Sequence, residues 1–386
     1  MKPIQIKFLL PIAIILLIIG LIAGYAIGSN FTLARSTWPI LSQAYRILEN
    51  HALRDIPPDP AIEYGLIHGM IQAYGDPYTS FMEPVQHELN TDQIEGSFGG
   101  IGVRLDTDQT GNVVLFPFPD SPASQAGIQE ADILKGIDGE NIAGKSIDEI
   151  QALIRGSVGS RVDITILTRE GGTEQQLSIR REEFPLPSVT WHIAPDEPRL
   201  GVLEINIIAA STPAEIERAI EDLLTRGAEG LVLDLRDNAG GLLTAGIDSA
   251  RLFLIDGIIL EQQYRNSDVE SYRIEQPGPF TEIPLAILIN HNTASAAEII
   301  AGVLQVHDRA QLIGSPTYGK DTIQLIFDLQ DGSSLHVTAA EWWIPGLEPP
   351  IRGHGVQPDY PVEADVSESS SSPELQAAIL LLFGNN

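Results

Sequence analysis

From Leu200 to Ala339 the chain exchanges apolar runs for helical patterns again and again, and this alternation confines that stretch to a layered α/β fold. Gly201 to Ile208 reads as a strand, and Thr212-Pro213-Ala214-Glu215 reads as N-cap, proline and capping-box acid at the start of a helix. Gly230 to Arg236 opens wholly apolar, as strands covered on both faces do. A helix over Leu242 to Phe253, a strand over Ile258 to Tyr264, a buried strand over Leu285 to Asn290 and a helix from about Ala294 to Val306 follow. Ile323 to Leu329 and Ser334 to Ala339 flank Asp331-Gly332, a hairpin signal. These spans do not by themselves select one α/β topology over another.

Residues 95–183 have a different texture. Short β-like runs (Gly102 to Leu105, Val113 to Phe116, Val162 to Leu167, Gln176 to Ile179) alternate with turns rich in Gly and Asp. Before them, Thr37 to about Glu88 is helical in pattern: Asp59-Pro60 reads as a helix start, and Ile62, Leu66, Ile67, Met70 and Ile71 predict one buried face. Gly75-Asp76-Pro77 ends that helix. After the core, Ser367 to Ser372 is a polar spacer, and Ser372-Pro373-Glu374 starts a short helix ending before Gly384.

Lys2 and Lys7 precede an uncharged stretch from Phe8 to Ala34 that is apolar to about Ile27. Twenty helical residues span roughly 30 Å, a bilayer core, so the segment predicts an anchor with the remainder outside the cytoplasm. A cleaved signal segment is the rival, with small residues at Gly24-Tyr25-Ala26. A net charge of −29 argues against a nucleic-acid partner, which needs Lys and Arg for phosphate. With no cysteine there is no disulfide, thiol catalysis or Cys-ligated metal. Neither Gly-x-Ser-x-Gly nor His-Glu-x-x-His occurs, and His291 and His354 read as loop or surface residues.

Two stretches carry chemistry. In Asn290-His291-Asn292-Thr293-Ala294-Ser295-Ala296-Ala297-Glu298 a serine stands where a strand gives way to a helix, whose free N–H groups favour negative charge. In Thr317-Tyr318-Gly319-Lys320-Asp321-Thr322-Ile323-Gln324 a lysine lies in a Gly-containing turn. Desolvation of a lysine without a counter-charge frees its lone pair to act as a base for a serine.

With Asp234-Leu235-Arg236-Asp237-Asn238-Ala239-Gly240-Gly241, Gly75-Asp76-Pro77-Tyr78-Thr79-Ser80-Phe81-Met82 and Gly353-His354-Gly355-Val356-Gln357-Pro358-Asp359, these stretches resemble the carboxyl-terminal processing serine peptidases from about residue 40 to the final helix. Ser121-Pro122-Ala123-Ser124-Gln125-Ala126-Gly127-Ile128 and Asp132-Ile133-Leu134-Lys135-Gly136-Ile137-Asp138-Gly139 resemble a PDZ domain. The resemblance implies residues 1–34 as membrane anchor or signal segment, 35–94 as a helical region, 95–183 as an inserted PDZ domain, 184–365 as a crotonase-like α/β peptidase core, and 366–386 as spacer and helix. It implies Ser295 as nucleophile, Lys320 as base, Gln324 as its neutral orienting partner, and the N–H groups of Gly241 and Ala296 as oxyanion hole. Gly99, Gly100, Ile101 and Gly102 fall where such a PDZ domain binds the terminal carboxylate of a peptide added as a strand. The implied partners are protein C-termini and, through the N-terminal segment, a membrane; no metal or organic cofactor is implied, and self-association into a homo-oligomer is left open.

Three departures stand out. Ala131 and Ala239 replace the family's usual glycine and proline, and Asp321 stands where glycine commonly follows the lysine. Facing Lys320, Asp321 would raise the lysine pKa and leave a peptide-binding scaffold in place of an enzyme. On an extended chain, neighbouring side chains point to opposite faces. A crotonase-type enzyme acting on thioesters is the other alternative, against which the PDZ insertion and the Ser–Lys pair argue.

Overall fold

The computed structural model describes residues 38–108, 110–169, 172–362 and 372–384. The expected anchor over 1–34 lies outside the described residues; among those described, no helix is long and apolar enough to cross a membrane. The chain divides into two compact units, Met1–Met70 and Ile71–Asn386. In the first lies α1 (Pro39–His51), begun by proline at its first position. Helix α2 (Ala61–Tyr74) runs across the division and is closed by Gly75, whose N–H donates to Ile71 O. The expected buried face of α2 is not formed. None of its residues is buried, and Leu66 and Met70 are exposed. The apolar period marks a helix correctly, but burial needs a covering element that periodicity cannot supply.

In the larger unit β1 (Ser80–Met82) interrupts what the sequence presents as a helical region, and α3 (Pro84–Glu95) follows. A strand pair, β2 (Ser97–Gly100) with β9 (Glu182–Pro185), carries the chain into and out of the inserted domain. Between them lie β3 (Val103–Thr107), β4 (Val113–Pro117), α4 (Pro122–Gln125), β5 (Asp132–Ile137), β6 (Glu140–Asn141), α5 (Ile147–Ile154), β7 (Arg161–Leu167) and β8 (Glu174–Arg180). Their sheet has the order β3-β4-β5-β7-β8, with β6 on β5. Val162, Ile164 and Ile166 on alternate positions of β7 are fully buried with Leu115, Ile137 and Ile150, the period of two that a half-covered strand requires. A reciprocal cap starts α5: Glu149 N–H donates to Ser146 Oγ, and Ser146 N–H donates to Glu149 Oε2.

Ala131 adopts φ 65°, the left-handed region, with its N–H bonded to Leu115 O. A Cβ there costs about 1–2 kcal/mol, more than the roughly 0.5–1 kcal/mol of chain entropy that glycine forfeits on folding. Ala131→Gly is therefore expected to stabilise the protein by about 0.5–1 kcal/mol. A urea unfolding midpoint that does not rise would refute this.

The core sheet contains β10 (Val189–Ile193), β11 (Leu200–Ile205), β12 (Gly230–Asp234), β15 (Leu285–Ile289), β16 (Gln311–Gly314) and β19 (Tyr360–Pro361), side by side in that order. The pairs from β11 to β19 are parallel and β10 is antiparallel to β11. Both faces are covered, which is why β12 and β15 read as unbroken apolar runs. One face packs on α6 (Thr212–Thr225), α7 (Leu243–Arg251) and α8 (Ala296–Val306) through Leu203, Leu233, Ile287 and Ile289. Val202, Val232, Ala286 and Leu288 on the other face meet Leu375, Ala378 and Leu382 of α9 (Pro373–Phe383).

A second sheet, not separable from the first in the sequence, is formed by β13 (Ile258–Tyr264), β14 (Glu270–Arg273), β17 (Thr322–Asp328), β18 (Ser334–Trp343) and β1. Ile259, Leu260 and Trp342 bury against the same core as α7 and α8, so these helices are packed between two sheets. The capping-box reading of Glu215 is corrected here. Glu215 is buried, and its carboxylate accepts the N–H groups of Ser188 and Val189 at 2.8 and 3.0 Å, tying α6 to β10.

Candidate active site

The fully buried strand β15 ends at Ile289, and a tight loop from Asn290 then delivers Ser295. Thr293 fixes the loop: its Oγ1 donates to Leu235 O at 2.8 Å and accepts the Asn290 N–H. Asn290 and Asn292 both donate to Asp237 Oδ1, and Ala294 N–H donates to Asn238 O. The loop is thereby stitched to the segment after β12. Ser295 itself has φ 55° and ψ −120°. A non-glycine residue there costs about 1–3 kcal/mol and persists only where its surroundings hold it. This conformation also explains why α8 begins at Ala296 and not at Ala294.

The glycine loop lies directly against the serine. A Cβ on Gly240 would sit 2.9 Å from Ser295 Cβ and 3.1 Å from Ala296 N, so only glycine allows this approach. At Gly241 (φ 148°) a Cβ would run into the Ile208 carbonyl, which accepts the Leu242 N–H at 2.8 Å. Asn238, fully buried, shapes the turn by donating to Ile205 O and accepting the Gly240 N–H at 2.8 Å. Among the described residues, the N–H groups of Gly241 and Ala296 have no intramolecular acceptor, which leaves both for a ligand. Ala239, at the family's proline position, is exposed.

Lys320 is half-buried, and burial lowers its pKa below the ordinary lysine value; Glu298 and Asp76 pull the other way. Its ammonium donates to Gln324 Oε1 at 2.8 Å and lies 5.5 Å from the centre of the Tyr78 ring. Gln324 Nε2 in turn donates to the Tyr78 carbonyl, which fixes the amide with its oxygen toward the lysine. Asp76 shapes the Tyr78 turn by accepting the Thr79 N–H at 2.9 Å. Among the described residues no hydrogen bond joins Ser295 Oγ to Lys320 Nζ, so Lys320 is held by Gln324 and not by the serine.

Asp321 is turned aside. Its carboxylate pairs with Arg352, with Oδ2 2.9 Å from Nε, and Arg352 also reaches Glu341 at 2.7 Å. The glycine-rich segment from Gly353 packs under the lysine loop, where Val356 N–H donates to Thr317 Oγ1 at 2.7 Å. His291 and His354 are exposed.

Glu298, to which the sequence reading assigned no role, joins the two halves of the site. Wholly buried, its carboxylate accepts four donors: Ser295 N–H (2.7 Å) and Lys320 N–H (3.0 Å) on Oε2, Thr317 Oγ1–H (2.6 Å) and Gly319 N–H (2.7 Å) on Oε1. Burial pushes its pKa up against those hydrogen bonds. The Ser-x-x-Glu spacing of a capping box was the available signal. Asp76 and Arg352 were not singled out as site residues either, and no local pattern around them indicates one.

In the inserted domain, Gly100, Ile101 and Gly102 line a groove with Leu105, Phe118 and Ile154. The N–H groups of Ile101 and Gly102 have no intramolecular acceptor among the described residues. Gly99 does not line that groove; its carbonyl accepts the Gly156 N–H at 3.1 Å.

A PDZ domain joined to a two-faced α/β peptidase core defines the class, and comparison with known proteins agrees. Residues 199–362 match the model of peptidase family S41, and residues 118–168 match a PDZ domain. The chain belongs to the carboxyl-terminal processing proteases of family S41, a family of serine-type peptidases. It is 33% identical over 329 residues to the carboxy-terminal processing protease CtpA of Bacillus subtilis (strain 168), covering 83% of this chain and 69% of that one. Identity is 35% over 329 residues with a carboxyl-terminal-processing protease of Picosynechococcus sp. (strain ATCC 27264 / PCC 7002 / PR-6), covering 83% and 78%. A solved photosystem II D1 C-terminal processing protease matches with 27% identity and a TM-score of 0.46, over 85% of this chain and 87% of that one.

Proposed function

We propose that this peptidase cleaves protein chains by a Ser–Lys mechanism after its PDZ domain has captured their C-termini. The observation that carries the reading is a desolvated lysine whose amine is held by a neutral amide, in a loop tied by one carboxylate to the serine. A carboxylate in place of Gln324 would stabilise the ammonium and spoil the base. Lys320 leaves Gln324 for Ser295 as substrate enters. Neutral Nζ takes the Oγ proton while Oγ bonds to the scissile carbonyl carbon, and the oxyanion is received by the N–H groups of Gly241 and Ala296. Collapse breaks the C–N bond, the leaving amine takes the proton from Nζ, and an acyl-enzyme ester remains. Water, deprotonated by the same amine, hydrolyses the ester. The scissile segment is presented by the PDZ groove, where Ile101 and Gly102 offer N–H groups to a terminal carboxylate. The apolar N-terminal segment would hold the catalytic region at the outer face of a membrane.

The scaffold alternative required Asp321 to face Lys320, and its pairing with Arg352 speaks against that. Incubation of the full chain with an unstructured protein tests the reading. Ser295→Ala is expected to lower cleavage by at least about 10³-fold, and equal cleavage by both forms would overturn it.

A further inference from the structure

Asp321 follows Lys320 directly, and its main chain is fastened on both sides. Asp321 O accepts the Trp342 N–H of β18 at 2.9 Å. Upstream, Thr317 N–H donates to Val356 O at 3.2 Å while Thr317 Oγ1 accepts the Val356 N–H, which binds the lysine loop to the segment that carries Arg352. What stays free to turn is the Asp321 side chain. Its carboxylate is only 15% exposed, so its charge is poorly screened by water. Among the described residues Arg352 is the cation with which it forms an ion pair. The guanidinium spans two acids: Nε donates to Asp321, and Nη2 lies 2.7 Å from Glu341, which is 61% exposed and well solvated by itself. Around the Lys320 amine stand Glu298 of α8, Asp76 and Tyr78 of the turn before β1, and His336 of β18. Burial pushes the Tyr78 pKa up; Tyr318, Asp321 and Glu298 add to the rise and Arg352 opposes it. Both charges of the Asp321–Arg352 pair are therefore felt at the ring whose centre lies 5.5 Å from the ammonium.

We propose that Arg352 is a positioning residue for the hydrolysis: it holds the Asp321 carboxylate away from the Lys320 amine and so denies the base a counter-ion. This rests on the reading of Lys320 as the general base. Arg352 touches neither the substrate nor the reacting atoms; it acts through Asp321 alone. Without the guanidinium, a largely buried carboxylate is left beside one nearby cation, the ammonium of its neighbour in the chain. Turning toward it, Asp321 stabilises the protonated lysine, and a smaller fraction of the enzyme carries the neutral amine at any given pH. The other groups around the amine are the same with and without Arg352. His336 is neutral throughout the alkaline range, because burial holds its pKa below the ordinary histidine value. Asp321, which departs from the family's glycine, is thus tolerated next to the base because Arg352 occupies it.

The test is a double-mutant cycle on the full chain in detergent, with fluorescein-labelled casein at saturating concentration and kcat followed against pH. Arg352→Gln is expected to move the midpoint of the alkaline rise up by about one pH unit, a loss of about tenfold on the rising limb, and to leave the plateau in place. Asp321→Asn alone is expected to move it little, since the acid is already occupied. In the Asp321→Asn background, Arg352→Gln is expected to shift the midpoint by less than about 0.3 unit, because the two residues act as a coupled pair. Should Arg352→Gln not fold, Arg352→Met keeps the stem without the charge and gives the same reading. A lowered plateau with an unmoved midpoint overturns the proposal. So does an equal shift in both backgrounds, which would mean that Arg352 acts through its own charge and not by holding Asp321. Lys320→Met separates the two levels: if it retains wild-type activity, the base reading falls and this inference with it. If it is inactive while Arg352→Gln leaves the midpoint unmoved, the inference alone falls.

Discussion

Lys320→Met is expected to lower kcat for peptide hydrolysis by about 10³–10⁴-fold, the upper range for loss of a general base. The fold should survive, because the side chain is half-buried and, among the described residues, its ammonium hydrogen-bonds only to Gln324. Methionine fills the stem's volume but has no proton acceptor of useful basicity. Lys320→Arg should fail equally, since guanidinium stays protonated throughout the accessible range. In the wild-type protein only the neutral amine can take the Ser295 proton, so activity rises with pH and levels off above the lysine pKa. Burial lowers that pKa from the ordinary value, so the midpoint of the rise is expected below about pH 10.4, where an exposed lysine would be half-neutral. A kcat profile whose midpoint lies at or above that point, or full activity in Lys320→Met, contradicts the assignment.

The site was legible in the sequence where its parts are local. Lys320 and Gln324 lie four residues apart, and they meet because the turn before β17 brings amine and amide together. Ser295 was legible as a strand-to-helix residue, but its left-handed backbone was not, because it follows from Thr293 reaching Leu235 and Ala294 reaching Asn238, contacts across more than fifty residues. Asp321 shows the same limit from the other side. Alternation along a strand gave a reason to discount it, whereas what fixes its direction is Arg352, 31 residues away. Strand patterns likewise found β13, β17 and β18 but gave no sign that they form a sheet apart from β11, β12 and β15. Period reports which face of a strand is apolar, not which strand it pairs with. The exposed face of α2 has the same origin.

Glu298→Gln tests the joint between the two halves of the site. The change removes one negative charge and keeps the shape. An amide, however, offers one acceptor oxygen where the carboxylate has two, and each of those two now receives two donors. Placing the amide nitrogen at the Oε2 position sets it against the N–H groups of Ser295 and Lys320. At the Oε1 position it faces Gly319 N–H and Thr317 Oγ1, and although that hydroxyl can turn to accept, it already receives the Val356 N–H. In either placement at least one buried N–H loses its acceptor, which costs about 1–3 kcal/mol, and the loop carrying Lys320 shifts relative to Ser295. The expected result is a fall in kcat of about 10²-fold, with KM changed much less, because the groups displaced are the reacting ones. Instability alone could mimic that fall, so the pH profile is the deciding measurement. The Glu298 carboxylate raises the Lys320 pKa, and its removal must therefore lower it. The residual activity of Glu298→Gln should reach its plateau at lower pH than wild type, whereas a purely structural defect would scale the whole profile down without moving it.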